Sequence, residues 1–303
     1  MKDQKCISLF VLLIIASKIL FGQQIADTSF NYPIKKPLYK KEQGPVITLD
    51  EAHFNFHTLD GRYFAFGRLL KQDGYILKPG HEPFTTSYLL GTKILVIANA
   101  LPDSSEWKLP TKSAFLKQEI SELQKWVFNG GNLFLIADHM PFAGAAAELA
   151  LSFGFNFING FAFRKDDKSE IFSRKKNNLT SNIITNGKSI EEHIDSMMIF
   201  TGQAFLIPDN AVAISRLDDD YTILLSSIAW EFNDSTASIS GQGFSNGAFM
   251  NYGKGRLVIF GEAAMFSAQL AGSQQNKMGM NNPTANQNPQ LLLNIIHWLD
   301  RKL

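Results

Sequence analysis

Three runs along the chain are apolar at every position, 94–98, 133–137 and 257–260, and a fourth, 46–49, is broken only by Thr48. Runs this short, without polar alternation, suit strands covered on both faces, which is how parallel sheets are buried. Between them the period changes. Leu59, Tyr63, Phe66 and Leu70 recur at spacings of four, three and four, one face of a helix that stops before Gly74, and residues 75–77 read as another strand. Leu116, Ile120, Leu123 and Val127 form a second stripe, with Gly130 and Gly131 as its stop. Pro141 is placed to open an alanine-rich helix, and Asn288 and Pro289 to open a last helix whose face is Leu292, Ile295, Ile296 and Leu299. This alternation predicts an α/β domain over residues 46–303, built on a doubly wound, mostly parallel sheet.

After Gly160 the rhythm fails. Residues 164–176 are charged and read as a flexible stretch, and strands are expected at 211–217 and 221–226 around Asp218, Asp219 and Asp220, so a β-containing subdomain is expected as an insertion at about 160–242. Residues 243–250 read as a strand that turns back through 251–255, where Gly253 and Gly255 supply turn conformations, to pair antiparallel with the run at 257–260. Residues 271–290 are rich in Gly, Ser, Asn and Gln and show no period; a loop of that length is expected to close over the strand ends as a lid. Residues 24–45, with Pro33, Pro37 and several lysines, read as an extended lead-in.

Composition narrows the function classes. A chain of 303 residues with 45% hydrophobic content can bury a full core, and 29 basic against 28 acidic residues, with no basic run, leave no electrostatic footprint for nucleic acid. Lys2 and Lys5 ahead of an apolar core at 7–16, with a cleavage region near Gly22 and Gln23, predict a signal peptide at 1–23 and a secreted or periplasmic protein. Lys18 interrupts the apolar run short of a membrane span, so no transmembrane span is expected in the mature chain. Cys6, the sole cysteine, leaves with that segment, which removes disulfides, thiolate ligands and a cysteine nucleophile.

The order of motifs is LDEAH after the first apolar run, VIANA at the next, GGNLFLIADH, then YGKGRLVIFGEA before a terminal helix that ends in HWL. Over 46–157 and 243–303 this resembles the class I glutamine amidotransferase-like superfamily, in particular bacterial members of unassigned activity and the related ThuA-like domains. The resemblance implies a flavodoxin-like arrangement. Amidotransferases of that class carry a cysteine nucleophile after the strand matching 133–137 and a His-Pro-Glu after the strand matching 257–260. Here Asp138 and His139, and Gly261, Glu262 and Ala263, stand in those places. The resemblance therefore implies a domain without amidotransferase activity. Relatives of this fold serve as binding or assembly modules, and some are proposed to bind sugars.

The resemblance further implies that the ends of the strands lie side by side, which would bring together Asp50, His53, Asn99, Asp138, His139 and Glu262. Ligands of open α/β sheets bind at that end. Three readings of the cluster stand. Asp50, His53, Asp138, His139 and Glu262 could hold a divalent metal or supply an acid and a base, although no fixed-spacing motif such as H-E-x-x-H supports them. They could instead be structural, with Asp50 and Asp138 capping helix N-termini and the histidines serving as buried links. Or they could line a metal-free site in which Glu262 hydrogen-bonds ligand hydroxyls. Trp107, in a Pro-flanked loop, is the one tryptophan expected to touch a ligand; Asn281 is a further contact from the lid, and Thr201 a polar strand end that reaches over the site. Met265, Phe266 and Met280 are expected in the core and His297 in a structural role. The expected function is binding of a small hydroxylated ligand of the carbohydrate kind. A metal-assisted or carboxylate-driven hydrolase and an envelope interaction module are the alternatives.

Overall fold

The computed structural model describes residues 24–103, 107–166 and 170–303. The expected signal segment, with Cys6, lies outside the described residues.

The strands that carry the site are β1 (Val46–Asp50), β2 (Ile76–Gly80), β3 (Ile94–Ala98), β4 (Asn132–Ile136), β5 (Ser245–Tyr252) and β6 (Gly255–Phe260); the helices are α1 (Phe64–Gln72), α2 (Lys117–Phe128), α3 (Phe142–Ser152) and α4 (Asn288–Leu299). They line up as β2-β1-β3-β4-β6-β5. The first five are parallel and β5 runs antiparallel beside β6. Alternate residues of each strand face opposite layers. Ile47, Leu49, Val96, Phe134, Val258 and Phe260 pack with Phe66 and Leu70 of α1 and Leu292 and Ile295 of α4. Leu95, Ile97, Leu133, Leu135, Leu257 and Ile259 pack with Ile120, Leu123 and Val127 of α2 and Leu149 of α3. Both faces are thus covered, which is why the runs lack polar alternation.

The chain reverses tightly into β6. A Cβ on Gly255 would run into the carbonyl oxygens of Val127 and Gly131, so only glycine lets the β6 start lie against the end of α2.

The expected α1 stripe is shorter at its start. The Thr58 carbonyl accepts from Gly61 and Tyr63, so Leu59 lies in turns and the helix begins at Phe64. Part of the expected insertion at 160–242 joins the main sheet. Phe205–Leu206 and Val212–Arg216 both pair with β5, extending the main sheet, which has nine strands among the described residues. An unpaired β5 would leave a row of unmet backbone groups, and these short strands cover it. The remainder of the insertion forms a three-stranded sheet of Phe161–Arg164, Tyr221–Leu225 and Ala237–Ser240, and a pair of Glu170–Ser173 with Ser196–Ile199. Its described charged residues are ordered, with Arg164 hydrogen-bonded to Asp166 at 2.8 and 2.9 Å.

Residues 271–290 are not a featureless loop. Ala268–Ala271 and Asn276–Gly279 form a hairpin, and Gln24–Ala26 from the lead-in adds a third strand. The strands are too short to show a period, and the amide side chains spend themselves on backbone: Asn282 Nδ2 donates to the Lys277 carbonyl and Asn281 Nδ2 to that of Gln269. Among the described residues no helix is long and apolar enough to cross a membrane.

Candidate functional site

The polar residues at the strand ends first satisfy the backbone there. Asn99, just past β3, takes a left-handed conformation (φ 49°). Its side chain bridges to the end of β4, with Oδ1 accepting the Asp138 N–H at 2.9 Å and Nδ2 donating to Asp138 Oδ2 at 3.3 Å. Past β6, Glu262 accepts the N–H groups of Ala264 and Met265 at 2.7 Å each, one on each carboxyl oxygen, and so caps the short turn that follows. His139 Nδ1 lies 2.7 Å from the Met140 carbonyl. A carbonyl only accepts, so Nδ1 carries a proton directed at it. The ring stacks on Phe161 at 4.5 Å and meets the edge of Trp230 at 4.6 Å.

A cavity of about 440 Å³ opens beside these tips. Asn99, Asp138, His139 and Glu262 line it, and Trp107 and Thr201 join them as expected. Its walls also include Phe56, Phe142 and Trp230, with Gln269 and Met278 from the hairpin and Gln24 from the lead-in. The amide-rich segment therefore does reach the strand ends, as an ordered wall. A larger groove of about 580 Å³ lies between the lead-in and α1, around Tyr32, Lys41, Arg68 and Lys71. None of the buried polar atoms that lack a partner lines that groove, whereas four belong to the cavity at the tips: both nitrogens of His57, Nε of Arg62 and Oε1 of Gln269. The chemistry is at the tips.

Burial pushes the Asp138 carboxyl above its ordinary pKa, against the opposing pull of His139 and Asn99. Burial and the Asp138 charge push Glu262 further up, despite its two amide bonds. An acid pair in which the charged form is disfavoured thus sits beside the His139 imidazole. Its donor set does not fit a metal. Both Glu262 oxygens and both Asp138 oxygens already accept hydrogen bonds, and among the described residues no three His, Cys, Asp or Glu side chains gather as a ligand set.

Asp50 and His53 do not join the site. His53 Nδ1 lies 2.9 and 3.0 Å from the Asp50 oxygens, its Nε2 lies 3.0 Å from Glu119 Oε1, and its ring packs between Phe84 and Phe115. Glu119 also accepts the Leu116 N–H at the start of α2. The three form a buried clamp between β1 and α2, so the expected set of Asp50, His53, Asp138, His139 and Glu262 is split in two. The reason is side-chain direction: Asp50 turns to the His three residues on, away from the cavity. Asn281 is likewise a structural pin, bonded to Asp27 and the Gln269 carbonyl. Met265, Phe266 and Met280 are in the core, and His297 pairs with Asp73 at 2.6 Å.

Sequence reasoning passed over His57, Arg62 and Gln269, and set Trp230 aside. The available signal was a second histidine four residues past His53 in the same tip loop, flanked by Phe56 and followed by an arginine. His57 is 3% exposed with both ring nitrogens unpartnered, and its ring packs 4.6 Å from Tyr63. Burial and then the Arg62 charge lower its pKa to about 3, so it is neutral at physiological pH. His53 differs: burial opposes its charge, but the bonds to Asp50 and Glu119 outweigh this and raise its pKa.

No protein-family model and no curated protein matches the chain. Among solved structures, the N-terminal domain of mmIFT52 superposes with a TM-score of 0.58 at 16% identity, over 84% of this chain and 96% of that one. A cytoplasmic protein of Salmonella typhimurium LT2 gives 0.51 at 12% identity, over 84% and 99%. A ThuA-like protein from Bacteroides uniformis gives 0.47 at 12%, over 89% and 95%. The first two bear on the fold alone, and both are similar to this chain along nearly their whole length.

The two tip-loop histidines should give opposite pH signatures. His53, raised when folded, contributes stability in full below about pH 6.5 and loses it as pH rises through the folded value. His57, lowered when folded, costs stability as pH falls from about 6.5 toward 3, because the unfolded chain takes up the proton first. Urea denaturation across that range should show His57→Phe losing acid sensitivity relative to the parent and His53→Gln losing its advantage chiefly on the acid side; identical pH differences for the two variants would contradict the assignment.

Glu262→Gln tests the cap. Both glutamate oxygens accept an N–H here, whereas the amide nitrogen of glutamine cannot accept. One buried N–H should lose its partner, at a cost of about 1–3 kcal/mol in denaturant unfolding. A variant as stable as the parent would show that the cap is dispensable.

Proposed function

We propose that the chain binds a small hydroxylated ligand of the carbohydrate class in the cavity at the strand ends, on an amidotransferase-like, flavodoxin-like scaffold that carries out no amide transfer. The observation that carries this reading is the pairing of aromatic walls with buried polar atoms that lack a partner. Trp107 and Trp230 line the cavity and supply aromatic surface for the apolar side of a sugar ring, while His57 Nδ1 and Nε2 and Gln269 Oε1, buried in the residues of its wall, have no partner within the protein. Trp230 is held at a φ of 66°, a strained conformation of the kind that gathers at ligand sites. Nothing here replaces the thiolate that amide transfer needs, since the only cysteine is Cys6.

A second reading, carboxylate-driven hydrolysis, draws on the acid pair beside the His139 ring, groups of the kind that give and take protons. Export is part of the proposal and is supported by Lys2, Lys5 and the apolar run after them. The mature chain from the native host should begin near Gln23 or Gln24 on N-terminal sequencing, and recovery of Met1 would remove that part.

Tryptophan fluorescence titrated with mono- and disaccharides tests the binding. At least one sugar should quench saturably, and Trp230→Ala, a half-exposed position, should weaken it about tenfold with a nearly unchanged melting temperature. Absence of any response across the panel would sink the reading. Release of product from the same sugars, lost in Asp138→Asn, would decide for hydrolysis.

A further inference from the structure

The cavity carries one cation that the protein does not neutralise. The Arg62 guanidinium lies 3.8 Å over the Phe56 ring and donates to the Phe56 carbonyl at 3.3 Å. It forms no ion pair among the described residues, and its buried Nε has no acceptor. His57 lies on the same wall with both nitrogens unpartnered. A half-buried arginine without a carboxylate is costly unless something else supplies the negative charge. The acids that share the cavity are otherwise engaged: Glu262 holds two backbone amides, and Asp138 holds Asn99 and the His139 amide. Neither lies within ion-pair distance of Arg62, and burial disfavours the charged form of both.

Resting on the carbohydrate reading above, we propose that the ligand is an anionic one: a hydroxylated scaffold bearing a carboxylate or phosphate that Arg62 and His57 receive, while Trp107 and Trp230 hold the ring. Arginine presents its N–H groups in a planar fork that suits both anions, and the unspent Nε–H is one tine of it. Neutral His57 adds an N–H donor and an acceptor, for the anion and an adjacent hydroxyl respectively. Bound in a site sheltered from water, the charge pair is stronger than at an exposed surface. The aromatic faces and Gln269 Oε1 keep the site from being a bare anion trap, since they have nothing to offer a small inorganic ion.

Isothermal titration of the protein in low salt with glucuronate, galacturonate, glucose 6-phosphate, inorganic phosphate and glucose tests this. A uronate or the sugar phosphate should bind at least about tenfold more tightly than glucose, the scale of one charge-assisted contact. Which of the two classes prevails distinguishes carboxylate from phosphate. Added salt should weaken the anionic ligand and leave glucose nearly unaffected. Arg62→Gln should erase the preference and Arg62→Lys should keep part of it, with melting curves verifying that both variants fold. The salt arm needs no variant. Glucose binding as tightly as the anionic sugars would overturn this inference and leave the carbohydrate reading standing. Inorganic phosphate binding as tightly as the sugar phosphate would overturn it as well, because no hydroxylated scaffold would then be recognised. If none of the five binds, this inference falls, and the carbohydrate reading is decided by the wider panel of sugars.

Discussion

A parallel sheet buried on both faces has to end, and at its carboxyl ends the last backbone groups lose their ladder partners. That constraint organises this molecule. Asn99 answers it by tying the end of β3 to the end of β4 through Asp138, and Glu262 answers it by accepting two amides just past β6. Gln203 ties in from the insertion: its side-chain amide donates to the Ala137 carbonyl and its backbone N–H donates to the Gly261 carbonyl. The approach there is so close that a Cβ on Gly202 would strike the Gly261 carbonyl. The polar groups that make a site are thus the same ones that close the sheet.

Their double duty shapes the electrostatics. Carboxylates recruited to hold backbone amides sit deep enough that burial disfavours their charge, and two of them in one place disfavour it further. The negative charge these acids bring to the cavity is disfavoured in this way, and burial lowers the Arg62 pKa as well, though an arginine keeps its proton at neutral pH. Neighbouring positions in one loop are enough to separate function from structure here. His53 is clamped by two carboxylates and works for the fold, whereas His57, in the same tip loop, is left neutral and unpartnered on the cavity wall.

The fold was legible because it rests on local patterns. The apolar runs at 94–98, 133–137 and 257–260 became β3, β4 and β6 to within a residue or two, and the stripe from Leu116 to Val127 became α2, since a strand covered on both faces and a helix with one wet face each leave a period in the sequence. The positions past the strand ends were legible for the same reason: Asn99, Asp138, His139 and Glu262 all reach one cavity. Two strands of the insertion were legible, at 212–216 and 221–225, but their partners were not. Phe205–Leu206 and Val212–Arg216 are too short to announce a partner, and they join the main sheet because the free edge of β5 is there to be covered.

What the sequence by itself determined, then, is which segments lie side by side and which polar residues stand at their ends, for both follow from periodicity and from the parallel sheet it demands. Only the tertiary structure decided which of those polar groups are spent and which are spare. Asp50 and His53 found partners in each other and in Glu119, Asn281 found Asp27, and Glu262 found two backbone amides, whereas His57 and the Nε of Arg62 found none. Hydrogen-bond satisfaction depends on direction and distance across segments far apart in the chain, and no local pattern encodes it.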